Sequence, residues 1–442
     1  MQVLKRGLRI LLWPFRFWRL MLAGVLLLAV AHIIIDRVLL RKLAAQTEQF
    51  RKEGRPVTCA DLKLPEYTAV DNAYTVYEQA MDMIKKTTDE ASWSRYRPLI
   101  SRFIGDNPCT AKLDEQPLSA EETADLGGYL QKVQPALDLL QTSRNCSKCI
   151  IPDVLAQLDG SSGDNSKIEA HSSSILRMDK LIRHAVARGL WESRQGNLDA
   201  AFDWFALGLN IADNGKGYLG LSGGAFRQSF IHTVLGAVQL ALYDGEVPAV
   251  LPAAFAEELQ KCMDRNSYAK PYEYERLFEN DAAIRNGIQA WGVLRPLYSL
   301  NQFKMNQCYI QLDDALKEPD FDRQQATLDA LEKWLDNASI LYVLPKMAFP
   351  ITLRSVQQIR HALAASALCE TALTLKQFKQ KNGAYPESLA ELASPPAADP
   401  FSGRDFNYQR DGDGFVLSSV FMLPAYQGKK SPETNLAWCA VR

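Results

Sequence analysis

Near the start of the chain the hydrophobic positions are continuous rather than periodic. "RFWRLMLAGVLLLAVAHIIIDRVLLRKL" holds an uncharged run from Leu20 to Ile35, sixteen residues or about 24 Å as a helix at roughly 1.5 Å per residue. A hydrocarbon core is about 30 Å thick, and the flanks make up the difference. Val38 to Leu40 extend the apolar length, Arg19 and Arg37 reach toward the interfaces, and Trp13 and Trp18 suit headgroup depth. The pattern predicts a single transmembrane helix that meets the membrane through residues 17–40. Ala29-Val30-Ala31 has the form of a signal-peptide cleavage site, but three isoleucines follow and the run continues past it. An uncleaved signal anchor is therefore expected.

From Leu43 to about Thr352 the pattern changes to helical period, broken by turn signals rather than by strand alternation. Asp71 is placed to cap "NAYTVYEQAMDMIKK", whose Tyr74, Tyr77, Met81 and Ile84 share one face. Ser119 and Glu122 have capping-box spacing ahead of a run to about Leu140 that contains Pro135, and Pro252 suits the first turn of "AAFAEELQKCMDR". A mainly α fold follows: a basic tail and anchor over 1–42, an α-helical body over 43–350, and a small α+β module over 351–442.

Within the body, "RGLWESRQGNLDAAFDWFALGLNIADN" turns tightly at Gly196-Asn197, and the next helix places Ala201, Phe205 and Gly208 on one packing face. This spacing resembles the second half of a tetratricopeptide repeat, with Gly196 at the turn glycine and Phe205 at the aromatic. An ordinary antiparallel helix pair would have the same pattern, because one hairpin is not an array. Either reading gives a helical scaffold.

In the last module Val356, Ile359, Leu363, Ala367, Thr371, Leu375 and Phe378 form an apolar stripe. Asn382-Gly383 supplies a left-handed stop, Pro386 is placed to open a short helix over "ESLAEL", and "DPFSG" from Asp399 through Pro400 to Gly403 is a turn. "RDFNYQR" and "GFVLSSV" around "DGDG" read as a two-stranded hairpin. A long helix, G-x-Y-P-x-S-L-x-x-L, D-P-F-x-G, and then a Tyr-bearing strand and a G-F-x-L-x-S strand resembles the carboxy-terminal half of type II secretion major pseudopilins and related bacterial envelope modules. Gly383, Tyr385, Pro386, Leu389 and Leu392 carry the first block, Asp399, Pro400 and Gly403 the second, and Tyr408, Gly414, Phe415, Leu417 and Ser418 the third. The resemblance covers about a fifth of the chain and implies a bacterial envelope setting.

Charge narrows the partners. Residues 1–42 hold eight Lys or Arg against Asp36 alone, so the remainder carries 42 basic and 50 acidic residues. A mildly acidic body lacks the clustered cations that nucleic acid requires, so no nucleic-acid partner is expected. The positive-inside count does not set the orientation, with five Lys or Arg before the run and six in the twenty residues after it. The layout of a short basic tail and one early run points to the inner membrane with the body outside the cytoplasm. Eight cysteines would suit disulfides there, and Cys146 and Cys149 in "CSKC" are the candidate bridge, with free thiols as the alternative. Cys109 lies in a neighbouring irregular stretch.

Catalytic motifs are thin. "GLSGG", Gly220 to Gly224, matches the nucleophile elbow literally, but no strand precedes Ser222, and a glycine-rich loop between helices is expected instead. No phosphate loop, Rossmann fingerprint or second C-x-x-C appears, so neither cofactor nor metal is called for. The sequence thus favours a membrane-anchored scaffold or interaction protein with an envelope protein partner. The alternative is an envelope hydrolase whose acidic site is assembled from distant helices, with pairs such as Glu273 and Glu275 as its raw material.

Overall fold

The computed structural model describes residues 2–62, 68–88, 90–104, 118–151, 165–217, 220–244, 246–285, 294–422 and 435–440. Cys109 and the side chains of Ser222 and Cys439 lie outside what is described. The fold is mainly α. Its helices are α1 (Gln2–Lys52), α2 (Ala73–Thr87), α3 (Glu90–Ile104), α4 (Ala120–Gln141), α5 (Asn165–Arg194) and α6 (Leu198–Asn214), then α7 (Gly220–Asp244), α8 (Ala253–Met263), α9 (Arg265–Arg285), α10 (Arg295–Lys317), α11 (Phe321–Asn337) and α12 (Val343–Asn382). The strands β1 (Asn407–Asp411), β2 (Gly414–Met422) and β3 (Asn435–Ala440) form one antiparallel sheet in the order β1-β2-β3. Two compact units arise from interleaved segments. One comprises Met1–Leu62, Arg276–Gln311 and Leu331–Pro350, and the other Lys63–Glu275, Leu312–Ala330 and Ile351–Arg442.

In the first unit α1 runs 51 residues without interruption. Every apolar side chain from Leu20 to Ile35 other than half-buried positions at Gly24 and His32 is exposed. Beyond them Asp36, Leu39, Leu43, Gln46 and Phe50 recur at alternating three- and four-residue steps and turn inward. The helix stops at Gly54, whose φ of 69° lets Arg55 N–H reach back to the Phe50 carbonyl at 2.8 Å. Asn301 of α10, itself buried, donates to the Leu341 carbonyl (2.9 Å) and accepts from Leu344 N–H (3.0 Å), fixing the turn between α11 and α12.

In the second unit the α5–α6 hairpin forms around Gly196 (φ 81°) as its spacing predicts. A Cβ on Gly189 would lie 2.6 Å from the Phe205 ring and one on Gly208 2.9 Å from Val234, so both glycines permit close helix contact. The capping box of α4 forms as expected: Ser119 Oγ accepts from Glu122 N–H at 3.1 Å, and the Glu122 carboxylate accepts from Ser119 N–H at 2.8 Å. Three details differ from expectation. The cap of α2 is Asn72 rather than Asp71, because Asp71 is engaged by Ser147 through both N–H (2.8 Å) and Oγ (2.7 Å). Pro386 opens no α-helix: Ser388 and Glu391 cap a single 3-10 turn, Leu389–Glu391, and the Pro386 carbonyl instead accepts from Tyr408 Oη at 2.7 Å. The hairpin also gains a third strand, β3.

Candidate functional site

The feature that most distinguishes the chain is the point where α1 passes from bare to buried. Asp36 is the first inward residue after the apolar run and is 2% exposed. Both arms of the Arg295 guanidinium meet its carboxylate, Nε at 2.9 Å to Oδ1 and Nη2 to Oδ2. A buried carboxylate without a partner would be strongly unfavourable, and the two-armed contact satisfies both oxygens. Further along, Gln46 Nε2 donates to the Phe303 carbonyl (3.3 Å) and Gln46 Oε1 accepts from Asn306 (3.3 Å). The Arg276 guanidinium lies over the Phe50 ring at 4.9 Å, and its Nη2 donates to the Pro56 carbonyl at 2.7 Å. Paired positions advance together on both helices, so α1 and α10 run parallel. The run from Leu20 is long and apolar enough to cross a membrane, and it continues without a joint into a helix locked by polar pairs.

The C-x-x-C stretch serves packing. In this structure Cys146 and Cys149 stand as two separate half-buried thiols. Cys146 Sγ lies 3.8 Å from the Val70 carbonyl, whereas burial pushes the Cys149 thiol up to about 12, opposed by a bond from the Tyr74 backbone. Burial and neighbouring Asp71 raise Cys146 too, so neither is a ready thiolate at neutral pH. The segment between them docks on the start of α2. Ala73 N–H donates to the Lys148 carbonyl at 2.8 Å, and the Asn72 side chain exchanges two bonds with the Ile150 backbone, each 2.8 Å.

The turn residues of the last module converge on Asp399. Its buried carboxylate accepts from Phe401 N–H (2.9 Å), Val420 N–H (2.9 Å) and Ser419 Oγ (2.9 and 3.0 Å), while its N–H donates to the Arg404 carbonyl at 2.7 Å. Pro400 follows this anchor and Gly403 closes the turn with a φ of 66°. Gly383 likewise ends α12 at a φ of 81°, its N–H on the Lys379 carbonyl at 2.7 Å. Asp399, Pro400 and Gly403 thus form one anchored turn, and Gly383 is the stop of the helix that precedes it.

Three buried polar centres had no signal in local sequence. Arg227 donates to Asp213 at 2.8 Å with its guanidinium 4.0 Å over the Tyr268 ring, and Asp213 also meets Lys216. His232 and His361 share a ring-nitrogen bond of 2.8 Å, and burial lowers them to about 3 and about 4. Arg360 donates to Gln324 (2.7 Å) and Gln325 (2.6 Å) beside a cavity lined also by Arg265 and Pro400. Burial first, and Arg265 second, lower its guanidinium to about 10.

The catalytic candidates do not assemble into a centre. "GLSGG" lies in the first turns of α7 rather than in the loop expected for it, because the run that follows carries the helix back over the glycines. Glu273 and Glu275 sit two apart on α9, which directs them away from each other. Among the described residues no group of three or more His, Cys, Asp or Glu converges to hold a metal ion. No family model matches the chain, and no curated protein or solved structure matches it either.

Proposed function

We propose that the protein is a single-pass anchored component of a bacterial inner membrane whose body lies outside the cytoplasm and acts as a scaffold for a protein partner of the envelope. The observation that carries this reading is the change of surroundings along α1: bare apolar side chains to Ile35, then a stripe bound into the first unit from Asp36 onward. A helix continuous across that change transmits the position of the bilayer to the body without a flexible linker. The α5–α6 hairpin and the module from α12 onward supply the rigid surfaces, and the resemblance of that module to pseudopilin modules supports an envelope assembly as its setting.

The test is crosslinking of the full chain in living cells, with the crosslinked species identified and re-tested after removal of residues 1–42. A defined protein partner whose capture depends on the anchor is the expected result. Recovery of lipid and self-adducts alone would contradict the scaffold reading.

A further inference from the structure

The first unit exposes a second apolar surface beside the anchor. Ile340 is 85% exposed and Leu341 52% exposed on the turn between α11 and α12, and Val343 and Met347 follow one helical turn apart on α12, Met347 at 68%. Leu294, immediately before Arg295, is also exposed. Single exposed apolar residues are ordinary, but four of them between Ile340 and Met347 mark a surface with a partner.

Its height relative to the anchor follows from the pairing of α1 with α10. Asp36 meets Arg295, while Gln46 meets Phe303 and Asn306, so Asn301, which holds the Leu341 carbonyl, stands level with about residue 42 of α1. That is roughly 9 Å past Asp36 at about 1.5 Å per residue. With the core filled from Leu20 the hydrocarbon ends near Leu39 or Leu40, and a headgroup layer of about 5–8 Å follows. Leu341 falls within that layer, and Leu294, level with Ile35, falls roughly 6–8 Å inside the hydrocarbon at about 1.5 Å per residue.

The surrounding side chains have interfacial chemistry. Half-buried Trp334 and Tyr342 pack edge to face at 5.4 Å, and Lys304 Nζ lies 4.2 Å over the Trp334 ring. Lys346, exposed on α12, reaches back to the Ala338 carbonyl at 2.8 Å. Aromatic rings with polar edges and lysines on long stems are the residues that settle at headgroup depth.

We infer that the 338–347 edge, with Leu294, is a lipid-contacting surface that seats the first unit on the same bilayer that α1 crosses. The inference rests on the anchor reading above. Two contacts on one unit, the span and this edge, fix the tilt of that unit against the membrane, whereas a lone helix leaves it free to pivot.

The experiment places a photo-crosslinking benzoylphenylalanine at Ile340, Met347, Val30 or Gln311 of the full chain. Gln311 is an exposed α10 position roughly 24 Å beyond Arg295 at about 1.5 Å per residue. Each protein is reconstituted in vesicles of phosphatidylcholine and phosphatidylglycerol at three to one with radiolabelled phosphatidylcholine, then irradiated. The expected result is strong lipid labelling from Val30 and labelling from Ile340 and Met347 severalfold above Gln311. Labelling from Val30 with Ile340 and Met347 at the Gln311 level overturns the inference and leaves the anchor standing. Failure at Val30 as well overturns the anchor reading and, with it, this one.

Discussion

Asp36 and Arg295, 259 residues apart in sequence, form a two-armed ion pair at the end of the apolar segment of α1. The carboxylate is buried and the guanidinium is part-exposed, so the two ends of the pair respond differently to loss. Arg295→Ala strands a buried carboxylate, and the thermal midpoint of the full chain in detergent should fall by about 5–10 °C. Replacing both residues by leucine removes the stranded charge and should recover more than half of the loss. A double variant no better than Arg295→Ala would show that the loss does not come from a stranded carboxylate.

Asn72 both caps α2 and pairs with the Ile150 backbone. Asn72→Ala removes a cap and leaves Ile150 N–H and carbonyl without partners, and should cost about 2–4 kcal/mol in chemical denaturation. Asn72→Asp keeps the acceptor for Tyr74 and Ile150 N–H but sets a buried carboxylate against the Ile150 carbonyl, so at pH 7 its cost should be at least as large. A clearly smaller loss for Asn72→Asp would deny that this side chain holds the Ile150 carbonyl.

Gly403 and Gly412 separate backbone conformation from crowding. Both have positive φ, 66° and 55°, but a Cβ on Gly403 would lie 2.8 Å from Phe321 whereas one on Gly412 meets open space. Gly412→Ala should cost about 1 kcal/mol and Gly403→Ala about 2–3 kcal/mol. Matching values in denaturant titrations would deny the contact with Phe321.

Three histidines set an acid limit on stability. His184 Nδ1 donates to the Lys180 carbonyl at 2.6 Å and Nε2 accepts from Tyr129 Oη at 2.8 Å, which fixes a neutral ring, and burial lowers it to about 4. His184 is fully buried and His232 and His361 are half-buried, and all three contribute. All three have folded values below the ordinary 6.5, so their stabilising effect is complete above that pH. As pH falls from 6.5 toward 4 the unfolded chain takes up protons that the folded chain refuses, and stability declines. The melting temperature should be level near pH 7–8 and fall through this window, ahead of any carboxylate effect. A flat profile between pH 6.5 and 5 would contradict the neutral burial of these rings.

Local features were legible in the sequence where one or two neighbouring residues decide the outcome. The Ser119–Glu122 box, the left-handed stops at Gly196 and Gly383, the Asp399–Gly403 turn and the apolar run all depend on chemistry within a few positions. Pro386 shows the limit: its fixed φ suits a helix start, but the Ser388–Glu391 cap two residues later wins. Asp71 was displaced as a cap because Ser147, 76 residues away, occupies its carboxylate. Pairings such as Asn72 with Ile150, Arg227 with Asp213 and Asp36 with Arg295 are selected by tertiary packing and leave no periodic trace. Asp36 carried one hint, as the sole acid among the first 42 residues.

The most direct measurement of the central claim is protease treatment of intact spheroplasts, followed by mapping of the protected fragment. A chain anchored through α1 with its body outside the cytoplasm leaves an N-terminal fragment ending shortly after the apolar run, and all sequence beyond α1 is digested. A body that stays intact until the spheroplasts are lysed would contradict the account.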